Sequence, residues 1–463
     1  MKQGGIREMM AIALPMVVSY GCDTFMIFTD RMFLSRLGPE LMNAALGGGL
    51  TAYLMITFFM GLVGYTTALS AQYLGAGQRD RSAVVLTQAL IIVAVAGPVI
   101  LVLSPLAHRW FDFMNVPAGQ AAPQKLYFDI LVYGAALNLT RHAFSSFFSG
   151  VGRTRIVMVA SLISMSANIF FNYVLIYGKF GFPAWGIAGA AVGTILGNAV
   201  GCLILLVSYL GRANRLEFAV ARSLVFSAGV MKKLLRYGTP AGMETALNIL
   251  AFNAMVLTFH SMGTVTATAS TVMFNWDLVS FVPLLGVEIG VTSLVGRYMG
   301  ASDPKTAERA VRSGLKMGIA YSGIIFAGFV LFPEVLVNVF RPDIADGVFA
   351  QAFGTAVWML RLAALYVFVD AVMVVFVGAL RGAGDTLWAM GLTTSLHWLS
   401  MLLLVLFLKV FGFSVVASWL GVILGFLAAS TLVFWRYKSG AWKRLRVVEA
   451  APLAGGADPQ GRV

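Results

Sequence analysis

Charged side chains are scarce in this chain. They make up 11% of its 463 residues, against about 25% in ordinary soluble domains. With 59% hydrophobic residues and a mean hydropathy of +0.84, there is too little polar surface to cover a water-soluble globule, so lipid is the expected solvent. Cysteine is almost missing. Cys22 and Cys202 both sit inside apolar runs, which leaves no disulfide framework and no thiolate metal spacing, only two small buried hydrophobes. The sequence has no Gly-x4-Gly-Lys-Ser/Thr loop to cradle phosphates, so ATP does not drive any process within this chain. It also lacks a serine elbow, a His-Glu-x-x-His pair and a kinase signature set. His142, His260 and His397 stand alone, without a second ligand at a metal-binding spacing. No catalytic constellation and no cofactor site is expected, and the remaining energy source is an ion gradient.

Long apolar runs are what the sequence does have. They fall near 10–34, 44–71, 83–107, 126–149, 156–178, 185–210, 238–262, 269–296, 313–338, 352–380, 387–409 and 414–435, each long enough for a helix across about 30 Å of hydrocarbon. An all-α integral membrane fold of about twelve transmembrane helices follows. The first run carries Asp23 and Asp30 and is too long for a cleavable signal, so it is expected to stay in the protein. The net charge of +13 is carried largely by alternate connections: Arg79 and Arg81; Arg153 and Arg155; Arg212, Arg215, Arg222, Lys232, Lys233 and Arg236; Lys305, Arg309, Arg312 and Lys316; Arg381; and Arg436, Lys438, Lys443, Arg444 and Arg446. This is a positive-inside pattern rather than a nucleic-acid footprint, and it places both termini in the cytoplasm. The connections near 108–125, 178–184 and 339–351 are poorer in Lys and Arg and are expected to face outward.

The chain is also an internal duplication. Leu14-Pro15 returns as Thr239-Pro240, Gln72-Tyr73-Leu74-Gly75-Ala76 as Arg297-Tyr298-Met299-Gly300-Ala301, and Val116-Pro117 as Arg341-Pro342, each 225 residues on. Gly150-Val151-Gly152-Arg153-Thr154 returns as Gly382-Ala383-Gly384-Asp385-Thr386 at an offset of 232, as expected if a short insertion lies near Asp343 to Phe349. Each half has an even number of spans, so the repeats are parallel and related by an axis along the membrane normal, a frequent build of secondary transporters. The expected division is an N-lobe over 1–210, a basic cytoplasmic linker over 211–236, a C-lobe over 237–436 and a cytoplasmic, disordered tail over 437–463.

Ionisable groups inside the apolar runs cost from about 2.5 kcal/mol upward at mid-membrane, so each calls for a role and a partner. Asp23 and Asp30 share one face of the first segment, two turns apart. Glu244, with Asn248 at i+4, lies in the seventh; Asp277 and Glu288 lie in the eighth; Asp370, with Tyr366 at i−4, lies in the tenth. Carboxylates that face one another are relieved by taking up a proton or Na⁺, the outline of an ion-coupling site. Structural alternatives exist for some: Glu288 against Arg297, Asp277 against local hydroxyls, Arg31 against Asp30. Asp370, deep in an apolar run with no base within a helical turn, is the strongest functional candidate. Asn168 and Asn172 share a face of the fifth segment; beside Asp30 they suit Na⁺ or a proton network, or else join helices by hydrogen bonds. Close helix approach is expected at Gly197 and Gly201. Phe25, Phe28, Phe58, Phe59, Phe274 and Trp276 are candidates to line a promiscuous cavity, with some of the 23 methionines.

With these residues in view, the chain resembles the MATE (multidrug and toxic compound extrusion) antiporters of the NorM-like bacterial branch over about residues 8–436. The most specific pieces are Asn168-Ile169-Phe170-Phe171-Asn172-Tyr173 leading to Tyr177-Gly178-Lys179-Phe180-Gly181, and Asp370 followed by Gly378-Ala379-Leu380-Arg381-Gly382. The resemblance implies two six-helix lobes in a V and export of amphipathic, often cationic compounds against Na⁺ or H⁺. It also implies ion coupling at Asp30, Asn168 and Asn172 in the N-lobe and at Asp370 in the C-lobe. The family's seventh-helix Glu usually stands eight residues after the helix-opening Pro. Here that place is Asn248, and Glu244 comes four residues after Pro240. Those two positions share a face one turn apart, so a Na⁺ site is expected at Glu244 with Asp370, at a different depth, or at Asp30 with Asn168 and Asn172. Asp23, Asp277 and Glu288 are extra acids relative to the pattern.

The expected function is secondary antiport of small organic substrates across a bacterial inner membrane by a monomer, with no nucleic-acid partner. A lipid-linked oligosaccharide flippase of the wider superfamily is a second reading, and it calls for basic residues lining the central cavity. A receptor or enzyme on a helical bundle is a third, and lacks a catalytic constellation.

Overall fold

A computed structural model describes residues 3–113, 118–341 and 347–449. The repeated Val116-Pro117, the Pro342 of its partner, most of the expected insertion and the chain beyond 449 lie outside them. The described chain is all helix and turn. The first half runs α1 (Ile6–Ser35), α2 (Pro39–Gly64), α3 (Thr66–Gly75), α4 (Arg79–Phe113), α5 (Ala118–Tyr133), α6 (Ala135–Gly150), α7 (Thr154–Tyr177) and α8 (Ile187–Leu210). Two short helices, α9 (Arg212–Glu217) and α10 (Val220–Ser223), lead to the second half. There follow α11 (Ala228–His260), α12 (Thr264–Gly300), α13 (Pro304–Leu331), α14 (Pro333–Asn338), α15 (Gly347–Ala363), α16 (Val367–Ala383), α17 (Thr386–Val405), ending in a π-helical turn (Leu406–Val410), and α18 (Val415–Lys438). Among the described residues, 10 helices are long and apolar enough to cross a membrane, or 11 counting the bent pair α15–α16, which turns by 47°. The chain is a multi-pass membrane protein.

Three sequence expectations need correction. The apolar runs at 126–149 and 352–380 are not single straight helices. They are α5–α6 and α15–α16, broken at Gly134 and at Leu365–Tyr366, so that Gly134 and Tyr366 keep the 232-residue offset of the duplication. Lys232, Lys233 and Arg236 belong to the first turns of α11 rather than to a linker. Beyond α18 the chain is ordered as far as Glu449: Trp442 is fully buried and stacks on Tyr437 with centroids 5.4 Å apart. Val447 and Val448 then enter the core of the first half. Aromatic and branched apolar residues after a basic helix end find seats inside the bundle, which polar tail composition would not have supplied.

The two halves join through small residues, and the joint is itself symmetric. A Cβ on Gly75 would land on the carbonyl of Arg297, and one on Gly300 would land on the carbonyl of Gln72. These four residues are two repeat-related pairs, so the ends of α3 and α12 cross where no side chain fits. Gly61 meets Ala241 and Gly242 of α11, and its repeat partner Gly286 meets Val17 of α1. Around this crossing, Gln72 donates to the carbonyl of Gly382 (2.7 Å) and Ser293 to that of Ser149 (2.8 Å).

The connections rich in Lys and Arg gather at this same end. Arg79 meets Glu217 at 3.3 Å and Lys443 meets Glu308 at 3.3 Å. Gln78 donates to the carbonyl of Glu449 (2.8 Å), and Arg446 to Ser302 (2.8 Å). Asp303, just before α13, accepts from the backbone N–H of Thr306 (3.0 Å) and caps that helix.

Candidate functional site

The clearest polar site lies within the first half, where α1, α7 and α8 meet. Gly189, Gly193, Gly197 and Gly201 recur every fourth residue on α8 and face α7: a Cβ on Gly193 would strike the amide oxygen of Asn172, and one on Gly197 would come within 2.8 Å of the Asn168 side chain. This stripe lets α7 press its Asn168–Asn172 face against α8. Asp30 of α1 points into the same seam and is 5% exposed, while both asparagines are fully buried.

Asn172 Nδ2 donates to Asp30 Oδ1, and the Thr194 hydroxyl donates to Asp30 Oδ2 at 2.8 Å. Asn172 Nδ2 also reaches Asn168 Oδ1 (3.3 Å), and Asn168 Nδ2 reaches Thr194 Oγ1 (3.4 Å). No basic side chain stands within ion-pair distance of Asp30 among the described residues, and Arg31 is exposed. The carboxylate is thus surrounded by neutral dipoles, which solvate it without cancelling its charge. One more atom matters here: Asn172 Oδ1 is buried with no hydrogen-bond partner. An orphaned acceptor beside an uncompensated carboxylate, with a hydroxyl and a second amide, is a donor set that fits a proton or a small hard cation.

The second half does not bring Glu244 and Asp370 together. Glu244, 2% exposed on α11, is held by Arg381, with Nη2 to Oε2 3.0 Å and Nε to Oε2 3.3 Å, while the Thr393 hydroxyl donates to Oε1 at 2.7 Å. Arg381 Nη1 also binds Glu288. Arg381 is therefore not a residue of a basic connection but an intramembrane base on α16, and Glu288 pairs with it rather than with Arg297, which meets Glu8 at 3.6 Å. The physical reason is reach: the long guanidinium stem brings one cation to two acids on different helices.

Asp370 belongs to another cluster. The Tyr366 hydroxyl donates to Asp277 Oδ1 (2.7 Å), and Asp370 stands one turn beyond Tyr366 with Asp277 as its electrostatic neighbour. Asp277 thus bonds a hydroxyl at the distant α15–α16 break rather than a local one. No base stands within ion-pair distance of Asp277 or Asp370 among the described residues; Arg361 meets Glu334 at 3.8 Å.

Asp23 is paired with Arg141 of α6 at 3.0 Å. Asn248 keeps a buried Oδ1 with no partner and has no bond to Glu244. The six aromatics do not share one cavity. Phe274 packs among Phe252, Phe259 and Trp419, and Trp276 donates to the carbonyl of Leu336 (2.9 Å), whereas Phe25 and Phe28 are exposed. Sequence reasoning missed Thr194, Thr393, Arg141 and Arg381. An arginine at position 141 inside an apolar run was the available signal; the two threonines carry none, because hydroxyls are common in such helices.

Two related helical halves that meet across a symmetric small-residue joint, with buried acids within each half, are the architecture of a secondary transporter. The chain belongs to the MatE family, whose model matches residues 15–174 and 240–406. It is not an enzyme. It is similar to a probable multidrug resistance protein NorM of Thermotoga maritima, 27% identical over 450 residues that cover 96% of this chain and 94% of that one. It is also similar to the multidrug resistance protein PmpM of Pseudomonas aeruginosa, 26% identical over 85% of this chain and 82% of that one. Among solved structures, a MOP superfamily transporter from Pyrococcus furiosus superposes with a TM-score of 0.87 at 19% identity, covering 96% of this chain and 97% of that one. An outward-facing multidrug resistance MATE family transporter superposes with a TM-score of 0.84 at 19% identity, covering 95% and 97%.

Proposed function

We propose that this protein is a secondary antiporter that exports amphipathic, often cationic organic compounds from the cytoplasm of a bacterium in exchange for Na⁺ or H⁺. The observation that carries the reading is the Asp30 site: a buried carboxylate without a counter-ion, ringed by Asn168, Asn172 and Thr194, beside an orphaned amide oxygen. The names of the relatives as multidrug resistance proteins support the substrate class. The basic connections gathered at the crossing of α3 and α12 support an orientation with that end, and both termini, in the cytoplasm of an inner-membrane protein.

In the proposed cycle an outside ion or proton neutralises Asp30, alters how α1 packs on α7 and α8, and favours release of the cargo. Return to the inward-facing state discharges the ion. Exchange requires that ion and cargo each bind the two states with different affinity. Asp370, with Asp277 and Tyr366, is a second candidate for coupling in the C half. We expect a monomer to suffice, since each half holds its own acids. A flippase reading gains nothing from Arg141 and Arg381, because both are taken up by carboxylates.

The test is efflux of a fluorescent organic cation from proteoliposomes under separately imposed Na⁺ and H⁺ gradients. Wild type is expected to respond to one gradient and Asp30→Asn to lose at least tenfold of that flux (about 1.4 kcal/mol). Flux insensitive to both gradients, or unchanged in Asp30→Asn, would sink the reading.

A further inference from the structure

The halves of this chain provide an internal comparison at the Arg381 cluster. At the 225- and 232-residue offsets, Glu244 corresponds to Ser19, Thr393 to Ser161 and Arg381 to Ser149. The bond is kept while the charges change: Ser19 Oγ lies 2.5 Å from Ser161 Oγ in the first half, and Thr393 donates to Glu244 at 2.7 Å in the second. Ser149 bonds the Met16 sulfur (3.3 Å) where Arg381 bonds Glu244. Acid and arginine are both present in one half and both absent from the other, at positions that share the same packing.

The geometry of the charged version is that of an occupied cation site. Two carboxylates, from α11 and α12, converge on one point that the guanidinium of α16 fills, and a hydroxyl from α17 holds the other oxygen of Glu244. The guanidinium fork lets Nη2 and Nε address Glu244 while Nη1 addresses Glu288. A free cation entering here would have to displace a charge that is already tethered, and a tethered group binds at a high effective concentration without a fresh loss of translational freedom. Asp30 offers the opposite arrangement, a carboxylate with neutral ligands only.

We propose that Arg381 acts as a tethered cation that fills the carboxylate site of the second half, so that Glu244 and Glu288 take up no free Na⁺. This deepens the antiport reading and rests on it for its meaning, but not for its test. The site at Asp30, and the Asp277–Tyr366–Asp370 cluster, are then what remains for the coupling ion.

The experiment measures thermal unfolding of purified full-length protein while Na⁺ replaces choline at constant ionic strength. Arg381→Met leaves Glu244 and Glu288 without a cation. We expect Na⁺ to raise its melting temperature by several degrees more than that of wild type, and the extra rise to vanish in Glu244→Gln/Arg381→Met. An Arg381→Met protein with the wild-type Na⁺ response overturns the proposal. Should that variant fail to fold, Na⁺ binding to wild type and Glu244→Gln by calorimetry decides. Equal binding, or none in either, supports the tethered cation; Na⁺ binding to wild type that Glu244→Gln abolishes overturns it. No outcome depends on transport, so failure of the antiport reading would be seen separately in the proteoliposome assay.

Discussion

The crossing of α3 and α12 makes a quantitative prediction for Gly75→Ala. The added methyl would fall inside contact distance of the Arg297 carbonyl, with the Ala301 backbone nitrogen 3.0 Å away. Both obstacles are backbone in mid-helix or at a helix end, so they cannot rotate aside as a side chain would. Restoring ordinary contact at about 3.5–4 Å requires the helices to part. Overpacking of this kind costs about 1–3 kcal/mol, and backbone obstacles favour the upper part of that range. A cost of about 2–3 kcal/mol, borne only while the halves are closed here, lowers the closed-to-open ratio roughly 30- to 150-fold.

The assay is maleimide labelling of Ala71→Cys, a fully buried residue 3.1 Å from the Cβ position of Gly296 across the joint, in a background with Cys22 and Cys202 replaced by serine. Labelling is expected to be slow in the parent and faster by that factor with Gly75→Ala. Gly300→Ala, the repeat-related change, should act alike, and the two together should be less than additive because they strain one contact. Gly391→Ala, with nothing within 4 Å, serves as control. Labelling no faster in Gly75→Ala than in Gly391→Ala would refute the claim that this crossing holds the halves together.

Two further outcomes are expected. Gly193→Val would push a side chain into the Asn172 amide and is expected to cut gradient-driven efflux at least tenfold with Asp30 itself intact. Efflux at the wild-type rate would show that the α7–α8 fit does not matter to the site. Asp303→Ala removes the cap on α13 and should lower stability by about 0.5–2 kcal/mol, read as a fall in melting temperature. The hydrogen bonds from Thr306 hold the Asp303 carboxyl below its usual range. A lowered folded-state value means that the cap's contribution is full at neutral pH and is lost only as pH falls through that value, so the difference between Asp303→Ala and wild type should be constant from pH 6 to 8 and shrink in acid. A gap that grows in acid would contradict this.

Composition alone determined the environment of this chain: with 11% charged residues there is no way to hide its apolar surface from water. The duplication was likewise readable, because offsets between Gly75 and Gly300 or Pro15 and Pro240 survive wherever the backbone needs a residue of that kind. The Asp30–Asn168–Asn172 group was accessible for a similar reason, since amides at i and i+4 must share a helix face and an unpaired acid in an apolar run must face something polar.

What only the tertiary structure decided was which acid meets which base. Glu244 and Asp370 looked like partners because Glu244 stands one turn from the place where the resembling family carries its seventh-helix acid, yet a guanidinium on α16 reaches Glu244 and Glu288 first, and Asp370 has Asp277 as its electrostatic neighbour. Periodicity gives the face of a helix but not its neighbour. Long side chains such as Arg381 bridge between helices at distances that no sequence spacing encodes, and that is why the sequence placed Arg381 on a loop while the fold places it at the centre of a charged cluster.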